Sequence, residues 1–239
     1  MRNVWTIARR EFAAYFVSPV AYGVAAVFVL ILGIFFNFVD LPDQASYATP
    51  ADFYSRVTTL TFFAAPALTM RLLAEERRSR TLELLLTSPV RDGELILGKF
   101  LSSLGFYLVL LLASSVYPLI LFAFGNPDPR VLLTCYIGML LFGGTVLALG
   151  TLASTLTQNQ ILAFFLAFGM LLGLTLVGAP ARLAGPGLGG VVSALSFTGH
   201  LADFDMGILD TRHIVYYLSL TVVALFLATR VLEGRRWSG

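Results

Sequence analysis

Three stretches of this chain have the residue types and spacing that chemistry would need. Gly93 to Lys99 (GELILGK) fits the start of a phosphate-cradling loop, in which glycine amides and a lysine hold a nucleotide's phosphates. Phe100, however, stands where a Ser or Thr would carry magnesium, and the apolar interior reads as helix. Gly185, Gly187 and Gly190 satisfy the spacing of a dinucleotide-binding turn, but Pro186 interrupts them and no strand precedes, so they read as a flexible external turn. Glu75, Glu76 and Arg80 form E-E-x-x-x-R, in which a glutamate activates water inside a membrane. That chemistry needs histidines on facing spans. Neither histidine lies in a long apolar run, has a Phe four residues before it, or has an Asn four residues after it. Cys135 stands alone in an apolar run, which excludes an internal disulfide, and His200 and His213 have no second ligand pattern nearby. No catalytic residue and no metal site is assigned, and without a complete phosphate loop the chain has no route of that kind to ATP hydrolysis.

The elements that would position such groups are set by composition. Hydrophobic residues make up 57% of the 239 and charged residues 13%, with mean hydropathy +0.83, against about 25% charge in a soluble domain. Water would meet large apolar patches on such a fold, whereas lipid requires them and requires helices that satisfy their own backbone hydrogen bonds. The sequence therefore predicts an all-α polytopic membrane protein with one transmembrane domain over residues 1–239. A span needs roughly 20 apolar residues. The charge-free intervals predict six transmembrane helices at about 19–39, 54–74, 100–124, 131–154, 160–179 and 213–230. The long interval Val131 to Ala181 divides at the polar cluster between Ser154 and Gln160, and the third span closes at Asn126-Pro127-Asp128-Pro129.

Charge then stands out where it occurs. Arg71, Arg77, Arg78, Arg80, Arg91 and Lys99 cluster in and beside LLAEERRSRTLELLLTSPVRDGELILGKFL, between two apolar runs. With the N-terminal arm and the C-terminal tail, twelve of the sixteen Lys and Arg fall on one side of the predicted topology and four on the other, which places both termini in the cytoplasm. The net charge of +2 is an orientation signal and gives no argument for nucleic acid. Trp5, Ala8, Phe12, Tyr15 and Phe16 recur at helical spacing opposite Arg2, Thr6, Arg9 and Arg10, predicting an N-terminal interfacial helix before Ser18-Pro19 starts span one. No signal-peptide cleavage site is expected there.

Two further elements carry the functional expectation. Leu82, Leu85 and Leu86 share one face of a short helix with Arg78, Glu83 and Thr87 elsewhere, suited to docking in a groove of another protein. Pro89 fits the first position of the next helix after Ser88 as cap, with Asp92 and Glu94 near its positive end. Before the sixth span, about Pro180 to Arg212 holds Val191, Val192, Leu195, Phe197, Leu201 and Phe204 among glycines, predicting short external helices at the outer interface. Glycines on spans four and five (Gly138, Gly143, Gly144, Gly150, Gly169 and Gly173) permit close helix contact within the chain or across a dimer.

PALTMRLLAEERRSRTLELLLTSPVRDGELILGK resembles the first loop of ABC-2 type transporter permeases, and SPVAYGVAAVFVLILGIFF in span one extends the likeness. The closing LSFTGHLADFDMGILDTRHIVYYLSL and RVLEGRRW resemble the branch that includes the gliding-motility-associated permease subunit. The resemblance implies a six-span permease of the bacterial inner membrane, pairing with a second permease copy or paralogue, with membrane lipids around it. It also implies cytoplasmic ABC ATPase subunits that hold the ATP and magnesium, none being expected on this chain. The cytoplasmic coupling helix that meets the ATPase maps to Thr81, Leu82, Glu83, Leu84, Leu85, Leu86, Thr87, Ser88 and Pro89, flanked by the loop charges Glu75, Glu76, Arg77, Arg78 and Arg80. Arg80 stands where the family commonly has Gly, so the turn into that helix is expected to differ. Phe197 and Phe204 are the expected anchors of an external cap.

The implied mechanism is mechanical: ATPases that dock differently in two nucleotide states displace the coupling helix and, through it, the spans. With no charged residue marking an ion path inside the spans, a large amphipathic or lipid-linked substrate, exported, fits better than an ion. Two readings from other classes stand beside it. One is a membrane assembly or motility module that recruits an ATPase without transporting. The other, more remote, is a CAAX-type intramembrane protease built on Glu75, Glu76 and Arg80.

Overall fold

The computed structural model describes residues 2–36, 50–79, 90–124, 128–177 and 196–236. Every regular element among them is helical. In chain order these are α1 (Arg2–Tyr15), α2 (Pro19–Phe35), α3 (Pro50–Thr69), α4 (Ala74–Arg78), α5 (Asp92–Ser114), α6 (Val116–Phe124), α7 (Pro129–Leu156), α8 (Gln160–Val177), a 3-10 turn (Gly199–Leu201), α9 (Ala202–Asp205) and α10 (Thr211–Arg236).

The boundaries follow local chemistry. Ser18 caps α2, its hydroxyl accepting from the Ala21 amide at 3.4 Å, and Pro19 opens the helix with the φ it already holds. The same turn bends the chain by 70° between α1 and α2. Asp128 caps α7, accepting from the Arg130 amide at 2.9 Å, with Pro129 at the first position. Polar residues end α7 and start α8: Thr157 Oγ1 accepts from the Asn159 amide at 3.1 Å, and Asn159 Oδ1 from the Ile161 amide at 2.9 Å. This is the division that the polar cluster predicts. α5 and α6 break at Ser115 because Pro118 cannot donate to the Ser114 carbonyl and its ring crowds it.

One boundary differs from expectation. α5 begins at Asp92, with Val90 and Arg91 outside it, so Pro89 is not its first residue. The Glu94 carboxylate instead accepts from the Arg91 amide at 3.3 Å and holds that end. The regular helix α3 ends at Thr69 and the chain turns through 70–73 before α4, within a candidate span that runs Phe53–Arg78.

α7 is the hub. Its buried face meets α3, α5, α8, α9 and α10. At Gly138, Gly143 and Gly150 a Cβ would collide with Tyr54 and Phe204, with Tyr107, and with Thr69, respectively. These neighbours can approach only because no side chain is there. Buried hydroxyls add cross-links: Thr61 to Tyr107 at 3.0 Å, and Thr145 to Thr221 at 3.0 Å.

Among the described residues, four helical segments are long and apolar enough to cross a bilayer: α3 counted with the turn that follows it and with α4; α5 with the start of α6; α7; and α10. α1 and α2 pass the same test only as a bent pair, and α8 is apolar but shorter. The described residues are thus all-helical with four to five candidate spans among them, where the sequence predicts six.

Candidate functional site

At one end of the bundle charge is gathered into the packing. Lys99, on the second turn of α5, is 1% exposed, and lysine is almost never buried without partners. Its Nζ lies 2.7 Å from Glu76 Oε1 on α4 and 3.4 Å from Glu11 Oε2 on α1. Arg10 Nη2 donates to Glu11 Oε1 at 2.8 Å, and Arg71 Nε pairs with Glu75 Oε2 at 3.3 Å. The two carboxyls on Lys99 respond in opposite directions. Burial pushes both upward; at Glu11, Lys99 and Arg10 more than offset it and leave the group below its ordinary value. At Glu76 burial outweighs Lys99, and the group stays raised. Glu11, Tyr15, Arg71, Glu75, Glu76, Ser79 and Lys99 line a cavity of about 220 Å³.

Three elements hold these groups in place. α1 runs beside the first half of α5, with Ile7 against Gly98, Phe12 against Gly105 and Tyr15 stacked on Phe106 at 4.9 Å. Asn3 Nδ2 donates to Glu94 Oε2 at 3.1 Å, and Tyr15 donates from its hydroxyl to the Leu68 carbonyl at 3.0 Å. α4 is fixed by α7. The Ser154 hydroxyl accepts from the Leu73 and Ala74 amides at 3.0 and 3.1 Å and donates to the Met70 carbonyl at 3.2 Å. Arg77 Nη1 donates to the Thr155 carbonyl at 3.1 Å. Ser154 thereby serves the free amides at the start of α4 from a different helix.

The structure brings some of the sequence-predicted residues together and not others. Glu75, Glu76, Arg77 and Arg78 lie on α4 at this charged end. Arg80 and the whole expected docking helix, Thr81 to Pro89, lie outside the described residues, as do Gly185, Gly187 and Gly190. Gly93 to Lys99 is wholly helical and its lysine is engaged by carboxylates, so no phosphate-cradling loop exists there. Glu75 and Glu76 face cations, and both histidines lie at the opposite end of the bundle, so the protease constellation is not assembled among the described residues. Glu11 escaped the sequence reading, and only its place on an amphipathic helix hinted at a buried role.

At that opposite end, Phe197 and Phe204 are both fully buried. Phe197 packs on Phe142 at 5.1 Å and its carbonyl accepts from the Tyr217 hydroxyl at 2.7 Å. Phe204 sits over Gly138, and its carbonyl accepts from Thr134 Oγ1 at 3.3 Å. Cys135 is a buried packing residue beside it, as expected. Gly207 takes φ +80° in the turn that follows. The histidines do find partners: His200 Nδ1 lies 2.6 Å from His213 Nδ1, and His213 Nε2 lies 2.5 Å from Asp203 Oδ2. A His213 that donates from Nε2 to Asp203 has its Nδ1 lone pair free to accept from His200 Nδ1–H. Among the described residues no group of three His, Cys, Asp or Glu is arranged to hold a metal.

Much of this bundle coincides with a known sequence pattern. Residues 40–197, about two thirds of the chain, match the profile described as ABC-2 family transporter protein. The chain belongs to the ABC-2 transporter family. Over 121 residues it is also 32% identical to the probable ABC transporter permease protein NosY of Pseudomonas aeruginosa, a match covering 48% of this chain and 43% of that protein. The match thus reaches less than half of that relative's length. With its family and its apolar helices, this chain is a membrane-embedded protein of the ABC-2 transporter family.

Proposed function

We propose that the chain is the permease subunit of an ABC-2 type exporter in the bacterial inner membrane. It crosses six times, through α2, α3, α5 with α6, α7, α8 and α10, with both termini cytoplasmic. Residues Thr81 to Pro89 form the coupling helix and dock on a separate ABC ATPase, which binds ATP and magnesium. A second permease copy or paralogue completes the pathway, and the chain belongs with the gliding-motility-associated branch, which its closing segment resembles. A large amphipathic or lipid-linked molecule is the substrate.

The observation that carries this reading is the family match over residues 40–197, which includes the whole charged loop. The distribution of cations supports the orientation. α1, α4, the first turns of α5 and the last turns of α10 meet at one end, which holds Arg9, Arg10, Arg71, Arg77, Arg78, Lys99 and Arg230; Arg56, Arg130 and Arg212 sit at the other. Affinity purification of the tagged chain with a co-expressed ABC ATPase tests the docking role. Leu85→Asp removes an apolar anchor and places a carboxylate in the interface, a loss of more than about 2 kcal/mol for a central contact. The ATPase is expected to be lost from the purified complex while the chain stays in the membrane fraction. Undiminished copurification would refute the docking role.

A further inference from the structure

We infer that Lys99 is a positioning residue for ATP coupling: held between Glu11 and Glu76, it clasps the N-terminal helix to both ends of the 80–89 segment, so that α1 moves with that segment. The inference rests on the reading of 81–89 as the ATPase-docking helix.

The topology gives the clasp its meaning. Glu76 sits on α4, the last described element before the 80–89 segment, and Lys99 on α5, the first after it. Their contact at 2.7 Å therefore closes the segment at its base. Glu11 brings a third element to the same ammonium at 3.4 Å. Two further features make α1 part of one body with α5 rather than a loose surface helix. Glycines at 98 and 105 let Ile7 and Phe12 lie directly on the α5 backbone. The far end of α1 is tied to the end of α3 by Tyr15 on the Leu68 carbonyl and by Arg71 on the Ser18 hydroxyl. Close-packed bodies shift as units between discrete positions instead of bending continuously. A push on 80–89 would thus reach α1 through Lys99 and, across the bend at Ser18, would reach α2. An exposed ion pair would transmit little, since such pairs break at small cost. Lys99 is 1% exposed, and pulling it away from its two carboxylates would leave a buried ammonium without its partners.

The test uses the full permease–ATPase complex in lipid nanodiscs, with spin-label pairs at Arg9→Cys with Ile161→Cys, and at Ser79→Cys with Ile161→Cys. These three positions are exposed, and native Cys135 is buried. Distances are measured without nucleotide and after trapping with ATP and vanadate. Both distances are expected to shift on trapping in the parent. In Glu11→Ala, which leaves the Lys99–Glu76 contact in place, the Ser79 shift is expected to remain and the Arg9 shift to vanish. In Lys99→Met the Arg9 shift is also lost, and Lys99→Arg restores it; should Lys99→Met fail to fold, Glu11→Ala alone decides. An Arg9 shift that persists in Glu11→Ala, or a parent in which Ser79 moves and Arg9 does not, overturns the clasp while leaving the docking role intact. If Leu85→Asp leaves the ATPase bound and neither parent distance moves, the docking reading fails and takes the clasp with it.

Discussion

One ammonium group, that of Lys99, answers two carboxylates with almost no water beside it. The arithmetic of charge predicts how its neighbours tolerate change. Lys99→Met takes the buried ammonium away from Glu76 and leaves Glu11 with Arg10, a loss of about 3 kcal/mol for breaking a buried pair. Glu76→Gln leaves Lys99 paired with Glu11 and keeps a hydrogen-bond acceptor, costing about 1 kcal/mol or less. Thermal unfolding of the detergent-purified protein should therefore fall much further for Lys99→Met than for Glu76→Gln, and the opposite order would contradict the geometry. Little of this was legible in the sequence. Lys99 reads as one more loop charge, and as the end of a phosphate-loop pattern, because local pattern sees its own helix and not Glu11 arriving from the start of the chain. The pair His200 and His213 was hidden for the same reason. Thirteen residues apart, they match no helical spacing, and only the turn through α9 brings them together.

Helix boundaries were legible where a short polar side chain or a proline acts locally. Ser18-Pro19, Asp128-Pro129 and the 157–159 turn mark the ends of α2, α7 and α8 where the sequence places them. They were illegible where a distant residue intervenes. The chain leaves α3 at Thr69 and restarts at Ala74 because Ser154 of α7 binds the amides of that turn, and no pattern within residues 54–74 reports it. Phe197 and Phe204 are a middle case: the apolar spacing picks them out, and the fold buries both completely. Phe204 fills the space above Gly138, so its loss opens a cavity of the kind that costs about 3–5 kcal/mol in Phe→Ala changes. Phe204→Ser should free the stretch from Ser196 to Asp210 and make it sensitive to protease added from outside, while the ATPase still copurifies. A segment as resistant as in the parent would show that Phe204 does not anchor it.

For the molecule as a whole, the gathering of cations at one end makes topology a direct measurement. A cysteine at Ser79 should react with an impermeant reagent only in inverted membranes, and one at Ser46 only in intact cells; the reverse pattern would overturn the orientation. The hub position of α7 reaches further, into what heredity permits. In a population drifting under selection for folded protein, Gly138, Gly143 and Gly150 would be the positions at which every replacement is purged, because each already has a foreign side chain resting against its backbone. Gly169 and Gly173 on α8 have open space where a side chain would begin, and lineages should fill them with alanine and serine without penalty. Deep sequencing of a saturation library before and after selection would sort the glycines into these two fates. Were Gly169 and Gly173 to prove as immutable as the other three, the ancestry of this protein would be carrying the imprint of a second copy seated on α8.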